Sequence, residues 1–210
     1  MNLFIATHNA GKMREYRDLL APLGVPVLFP PDLDLQVEVV EGGATYAENA
    51  RLKALAHFHA LRERGVEAVV LADDSGLEVD ALDGAPGIRS ARYTPGSDED
   101  RIAALLRHLE GIPWEQRTAR FRCVLAVVPP DGALRFFEGT CEGIIATEPA
   151  GEGGFGYDPV FYLPEQGRTM AQLPPGAKNR ISHRARAVQA AMPLLADLLV
   201  QVHRPAGQGE

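Results

Sequence analysis

The sequence predicts an α/β protein, a long mixed β-sheet with flanking helices arranged as two lobes facing across a cleft. Three observations carry that expectation. Short apolar runs alternate with segments of helical period through the first half of the chain. The middle, residues 118–145, is rich in β-formers on both sides of a Pro-Pro-Asp-Gly turn. The chain then closes on a long amphipathic segment. With 210 residues, 46% of them apolar, and no internal repeat, a single domain spanning 1–210 is expected.

Residues 3–6 form a short apolar run with no basic segment before it, which reads as a first strand and not a signal peptide. A polar turn follows, Thr7-His8-Asn9-Ala10-Gly11-Lys12, and then a helix with Met13, Tyr16, Leu19 and Leu20 on one face. Residues 25–29 suggest a second strand, punctuated by Pro30-Pro31. Thr45-x-x-Glu48 is a capping-box pattern. It starts a helix with Tyr46, Ala50, Ala54, Phe58 and Leu61 at helical spacing, which Gly65 closes.

Residues 68–72 are continuously apolar, as a buried strand should be, and are expected to deliver Asp73-Asp74-Ser75-Gly76 at their C-terminal end. Ser97-x-x-Asp100 opens a further helix with Ile102, Leu105, Leu106 and Leu109 inward. A hairpin of 118–128 and 133–145 follows, then a Gly-rich stretch at 151–156 and a strand at 160–163. A last helix is expected over about 181–202, with the tail 204–210 disordered.

The formal charge of −7 argues against whole-surface attraction to nucleic acid or to an anionic membrane. No apolar run approaches membrane-spanning length. The cysteines, Cys123 and Cys141, are far apart and outside any CxxC pattern. They suggest neither a disulfide framework nor a zinc site, and a reducing, cytoplasmic compartment is expected. Lysine occurs only at 12, 53 and 178 in a chain that otherwise uses arginine, which singles these positions out as point charges aimed at phosphate or carboxylate.

The turn from Thr7 to Lys12 leads into a helix, so unpaired backbone N–H groups and the positive end of the helix dipole suit it to an anion; the bland alternative is an ordinary capped βα turn. Two adjacent carboxylates, Asp73 and Asp74, repel unless a cation or hydrogen bonds compensate, which suggests magnesium. Neighbours on an extended strand point opposite ways, so only one is expected to enter a site directly. Glu41-Gly42-Gly43 offers a further carboxylate beside flexible backbone. Glu48 is explained by its cap alone. Lys53, one turn after Asn49, reaches toward the carboxylates, toward a phosphate, or into solvent. Phe155-Gly156-Tyr157-Asp158 places an aromatic face beside approachable backbone, suited to stacking on a base or to simple core packing. Lys178, His183 and Arg184 form a late basic cluster, with Ser182 as a cap.

Six segments together resemble the inosine triphosphatase family, the non-canonical purine nucleoside triphosphate pyrophosphatases. They are Thr7-x-Asn9-x-x-Lys12, Thr45-x-x-Glu48-Asn49-Ala50, Ala72-Asp73-Asp74-Ser75-Gly76-Leu77, Gly84-Ala85-Pro86-Gly87 with Ser90-Ala91-Arg92-Tyr93, Gly154-Phe155-Gly156-Tyr157-Asp158-Pro159, and Ser182-His183-Arg184. The resemblance implies two lobes around a central active-site cleft, a homodimer, Mg²⁺ dependence, and hydrolysis of ITP, dITP and XTP to monophosphate and pyrophosphate. It implies phosphate contacts at Thr7, Asn9 and Lys12, metal ligation by Glu41 and Asp74, and a general-base role for Asp74. It also implies substrate contact at Ser75, base stacking on Phe155, and a base pocket lined by Lys178, His183 and Arg184. His8 stands where relatives commonly have glycine. The Maf-type pyrophosphatases, a rival with a Ser-rich, paired-arginine first loop, fit the Thr-His-Asn turn less well.

Overall fold

The structure is a computed structural model that describes residues 2–201, so the segment 204–210, expected to be disordered, lies outside the described residues. Among the described residues seven strands form one mixed sheet in the order β2-β1-β3-β4-β5-β6-β7. β1 (Asn2–Ile5) pairs in parallel with β2 (Val27–Leu28) and β3 (Ala68–Val79). β4 (Thr118–Val128) and β5 (Arg135–Ile145) follow, and β6 (Phe161–Leu163) runs antiparallel to β5 and to β7 (Arg168–Thr169). The turn between β4 and β5 closes through Gly132 N–H to Pro129 O (2.9 Å), with Gly132 at φ +81° where only glycine is comfortable.

The helices are α1 (Ala10–Leu20), α2 (Tyr46–Glu63), α3 (Asp98–His108), α4 (Pro175–Ile181) and α5 (His183–Gln201). Ser97 and Asp100 form a complete capping box for α3. At α2, Thr45 Oγ1 accepts from Glu48 N–H, but Glu48 Oε2 accepts from Ala44 N–H (2.7 Å), one residue ahead of the box position. No helix among the described residues is long and apolar enough to cross a membrane.

One sequence expectation needs correction. The strand beginning at Ala68 does not end before Asp73: β3 runs to Val79, so the Asp73-Asp74-Ser75-Gly76 segment lies inside it. The last helix, expected over about 181–202, is present as α5; α4 before it was not expected from the sequence, and Ser182 between the two caps α5, its Oγ accepting from Ala185 N–H (3.2 Å).

The chain divides into two compact units. The described residues of the first are 2–73, 124–137 and 187–201, and those of the second are 74–123 and 138–186. In the first, Phe4, Val70 and Ala72 of the sheet pack with Ala50, Ala54, Phe58 and Leu61 of α2, the apolar stripe its periodicity marks. In the second, Leu77 and Val79 pack with Ile102, Leu105 and Leu109 at α3 and with Phe121, Tyr157 and Phe161. Arg117, 4% exposed, donates to Leu109 O and Ala146 O (both 3.0 Å) and so fixes the end of α3 to the end of β5.

Candidate active site

In the first unit, β1 ends at Ile5 and the Thr7–Lys12 turn opens α1. Asn9 is the N-cap: its Oδ1 accepts from Lys12 N–H (2.9 Å), while Asn9 N–H donates to Thr7 Oγ1 (3.2 Å). The first-turn amides of Ala10 and Gly11 precede any i−4 acceptor, which gives this turn its capacity for an anion. His8 is exposed, and its imidazole stands near enough to His57 of α2 to act on it electrostatically.

Lys12 Nζ is not aimed at solvent. It lies 2.8 Å from Asp73 Oδ2, a carboxylate whose side chain is 1% exposed. An ammonium carries three N–H donors, so this pairing does not exclude a phosphate oxygen. Lys53 Nζ lies 3.6 Å from Glu41 Oε1. The Glu41 segment is tied to α2, because Gly43 N–H donates to Asn49 Oδ1 (2.9 Å). A Cβ at Gly43 would stand 2.7 Å from Glu48 Cβ, so only glycine permits this approach. His57 Nδ1 meets Lys53 O at 2.9 Å; burial lowers its pKa, this hydrogen bond partly offsets the shift, and the charges of His8 and Lys53 add to it more weakly.

In the second unit, Asp74 is buried in β3, and Ser75 Oγ accepts from Arg184 Nη2 (2.9 Å). The Phe155 ring has Lys178 Nζ at 4.9 Å and Arg184 Cζ at 5.8 Å from its centroid, two cations against one aromatic ring. Lys178 forms a short ion pair with Asp158, both buried, and the same Asp158 Oδ2 accepts from Phe155 N–H (2.9 Å). His183 stacks on Phe121, with centroids 4.8 Å apart and planes at 19°. Gly156 N–H donates to Asp98 Oδ2 (2.7 Å), and Tyr157 Oη donates to Ser90 O (3.0 Å), its pKa raised by burial.

The structure thus gathers Ser75, Phe155, Asp158, Lys178 and Arg184 in one cluster, with His183 beside it on Phe121. It places Thr7, Asn9 and Lys12 in one turn and Glu41 with Lys53. All three lysines of the chain pair with a carboxylate. Sequence reading did not mark Phe121 or Asp98. Phe121 reads as one more strand hydrophobe, and Asp98 as first-turn helix charge.

Among the described residues no group of three or more His, Cys, Asp or Glu side chains is placed to hold a metal ion. The carboxylates of Glu41 and Asp74 are hard oxygen donors, and Mg²⁺ takes one or two such groups and completes its shell with water and substrate phosphate. The donor chemistry therefore fits magnesium.

The sequence model of the Ham1 family matches residues 3–194. The chain belongs to the Ham1 family. Similar relatives include the dITP/XTP pyrophosphatase of Geobacillus kaustophilus (strain HTA426), 55% identical over 188 residues, 89% of this chain and 90% of the relative. The protein of the same name from Bacillus subtilis (strain 168) is 47% identical over 193 residues, 91% and 95% of the two chains. Among solved Ham1 structures, that of the Staphylococcus aureus Ham1 protein superposes with a TM-score of 0.78 at 41% identity, covering 96% of this chain and 100% of that one. The nucleoside-triphosphatase / dITP/XTP pyrophosphatase from Mycobacterium abscessus gives 0.69 at 40% identity, covering 92% and 100%.

Proposed function

We propose that this Ham1-family chain is a Mg²⁺-dependent hydrolase that cleaves ITP, dITP and XTP to the monophosphate and pyrophosphate, removing them from the nucleotide pool before they enter DNA or RNA. The observation that carries the reading is the Phe155 ring under Lys178 and Arg184. Arginine and lysine only donate hydrogen bonds, so they match a purine with an acceptor at its 6-position. Adenine presents an amino donor there. Guanine adds a 2-amino donor, whereas xanthine carries a second acceptor. Each unmatched buried polar group costs about 1–3 kcal/mol, so canonical bases are disfavoured by roughly 10-fold or more per mismatch. The relatives' names agree with this preference.

In this reading Thr7, His8, Asn9, Ala10, Gly11 and Lys12 hold phosphate oxygens through backbone N–H groups, polar side chains and one ammonium. Lys53 orients Glu41. Ser75 and the Phe155–Asp158 turn position the nucleoside, with Gly156 and Tyr157 shaping the turn, and His183 in its protonated form adds a third donor beside Lys178 and Arg184. Asp74 orients or deprotonates the water that attacks the α-phosphorus. Glu41 and Asp74 would hold Mg²⁺, which would supply Lewis-acid polarisation and charge neutralisation on the phosphates.

The reading includes a homodimer, following the family resemblance, and a cytoplasmic setting, supported by a chain with just two cysteines, far apart and outside any CxxC pattern. One experiment tests the activity: kcat/KM for ITP, XTP, ATP and GTP with Mg²⁺, with products identified. Monophosphate and pyrophosphate, formed far faster from ITP and XTP, are expected. Equal rates for all four, or initial release of orthophosphate, overturn the reading.

A further inference from the structure

The loop that presents Phe155 is held at a point that none of the roles above uses. Asp98, the first residue of α3, accepts from Gly156 N–H through Oδ2 (2.7 Å) and from Arg101 Nη2 through Oδ1 (2.6 Å). Arg101 is anchored in turn by its Nη1 bond to Gly96 O (2.9 Å). The Gly156 amide belongs to the peptide immediately after Phe155. The amide immediately before it, Phe155 N–H, is bound by Asp158 (2.9 Å). The two peptides flanking the Phe155 ring are therefore held by two carboxylates from different elements.

The Asp158 bond closes a turn within the loop and sets its shape. Lys178 ties Asp158 to α4 and Tyr157 Oη reaches Ser90 O, but the Asp98 bond is the one that ties the peptide next to the Phe155 ring to α3, across 58 residues of chain. Gly156 is at φ +62°, a conformation that directs its N–H and that other residues rarely adopt. A hydrogen bond to an ionised acceptor is roughly twice as strong as a neutral one. The Asp98 side chain is 40% exposed, so its ion pair with Arg101 adds little energy itself and serves to aim the carboxylate.

We propose that Asp98 is a positioning residue for base recognition: by holding the Phe155–Gly156 peptide, it sets the Phe155 ring against Lys178 and Arg184. This rests on the reading of Phe155 as the ring on which the purine stacks. Asp98 then governs affinity for the base and leaves the phosphate chemistry alone. Asparagine keeps an acceptor for Gly156 N–H but loses the charge, while alanine loses both.

The test uses the full chain. Titration calorimetry measures the binding of inosine monophosphate and, separately, of inorganic pyrophosphate, and steady-state kinetics with ITP separates KM from kcat. Asp98→Ala is expected to weaken inosine monophosphate binding and raise KM by about 3–30-fold, below the roughly 10–100-fold of a full charge-assisted hydrogen bond because Asp98 is partly exposed and acts through the loop. Pyrophosphate affinity and kcat are expected to stay at the parent values, with Asp98→Asn falling between parent and alanine. Should the alanine variant not fold, the asparagine variant carries the same comparison. Parent-like inosine monophosphate affinity in the variants, or equal losses for inosine monophosphate and pyrophosphate, overturns the role of Asp98 alone. A parent protein that binds pyrophosphate and no inosine monophosphate overturns the base-recognition reading, and this role with it.

Discussion

Lys12 Nζ stands 2.8 Å from Asp73 Oδ2, an ammonium of the first turn of α1 holding a carboxylate buried within β3. This pair belongs to the fold as well as to the site. Removing one partner of a buried pair leaves an uncompensated charge, at a cost of about 3–5 kcal/mol. Lys12 keeps some solvent, so we expect Lys12→Met to fall near the lower end, about 3 kcal/mol by urea denaturation. Lys12→Met with Asp73→Asn should recover much of that loss. A double mutant no more stable than Lys12→Met would show the pair to be structurally idle.

The base assigned to the reaction gives a separable outcome. Asp74→Asn keeps the shape of the side chain and removes its ability to take a proton. We expect a folded protein that has lost at least about 10²-fold in kcat, the usual scale for such a group. Near-parental turnover would remove Asp74 from the role.

His57 ties stability to pH. Its Nδ1 faces Lys53 O, so the neutral ring carries its proton there, and its buried Nε2 has no hydrogen-bond partner to receive a second N–H. The folded pKa is lowered below 6.5 by burial, partly opposed by the hydrogen bond to Lys53 O and reinforced more weakly by the charges of His8 and Lys53. Between that lower value and 6.5 the unfolded chain binds a proton that the folded chain refuses. Stability therefore falls as pH drops through 6.5 and is fully regained above it. Urea midpoints across this window should show that slope, and His57→Gln should flatten it.

Phe155→Leu keeps an apolar side chain but removes the π-face shared by Lys178 and Arg184. Base–aromatic stacking contributes about 1–3 kcal/mol, so KM for ITP should rise by about 10-fold with kcat little changed. Steady-state kinetics decides this, and an unchanged KM would mean that the ring serves packing only.

Much of the fold was legible because its signals are local. The capping box at Ser97, the turn at Pro129–Gly132 and the apolar stripe of α2 each predict an element that the structure contains. β3 was misjudged because its extension depends on distant partners. Asp73, Asp74 and Ser75 look like strand breakers until Lys12 holds the first and Arg184 the third. α4 was hidden by Pro174, Pro175 and Gly176, although proline at the first helical position costs a helix nothing. Within the candidate site, sequence pattern picked out the residues of the Phe155 cluster. The Asp98 contact, made across 58 residues, left no mark on the pattern around either partner.

The first turn of α5 carries His183, Arg184 and Arg186 and no acidic residue. The two arginine charges face the positive end of their own helix, where each cation is disfavoured by about 0.3–1 kcal/mol. Arg184, at 1% exposed, also gives up its hydration. A chain shaped for durability alone would seat aspartate at that turn. Keeping cations there makes the helix start a built-in weakness of the fold, offset in part where Arg184 donates to Ser75 Oγ and faces the Phe155 ring. In the proposed function, robustness and grip are set against each other at this turn, and an engineer who neutralised it is expected to obtain a sturdier protein with less hold on its nucleotide.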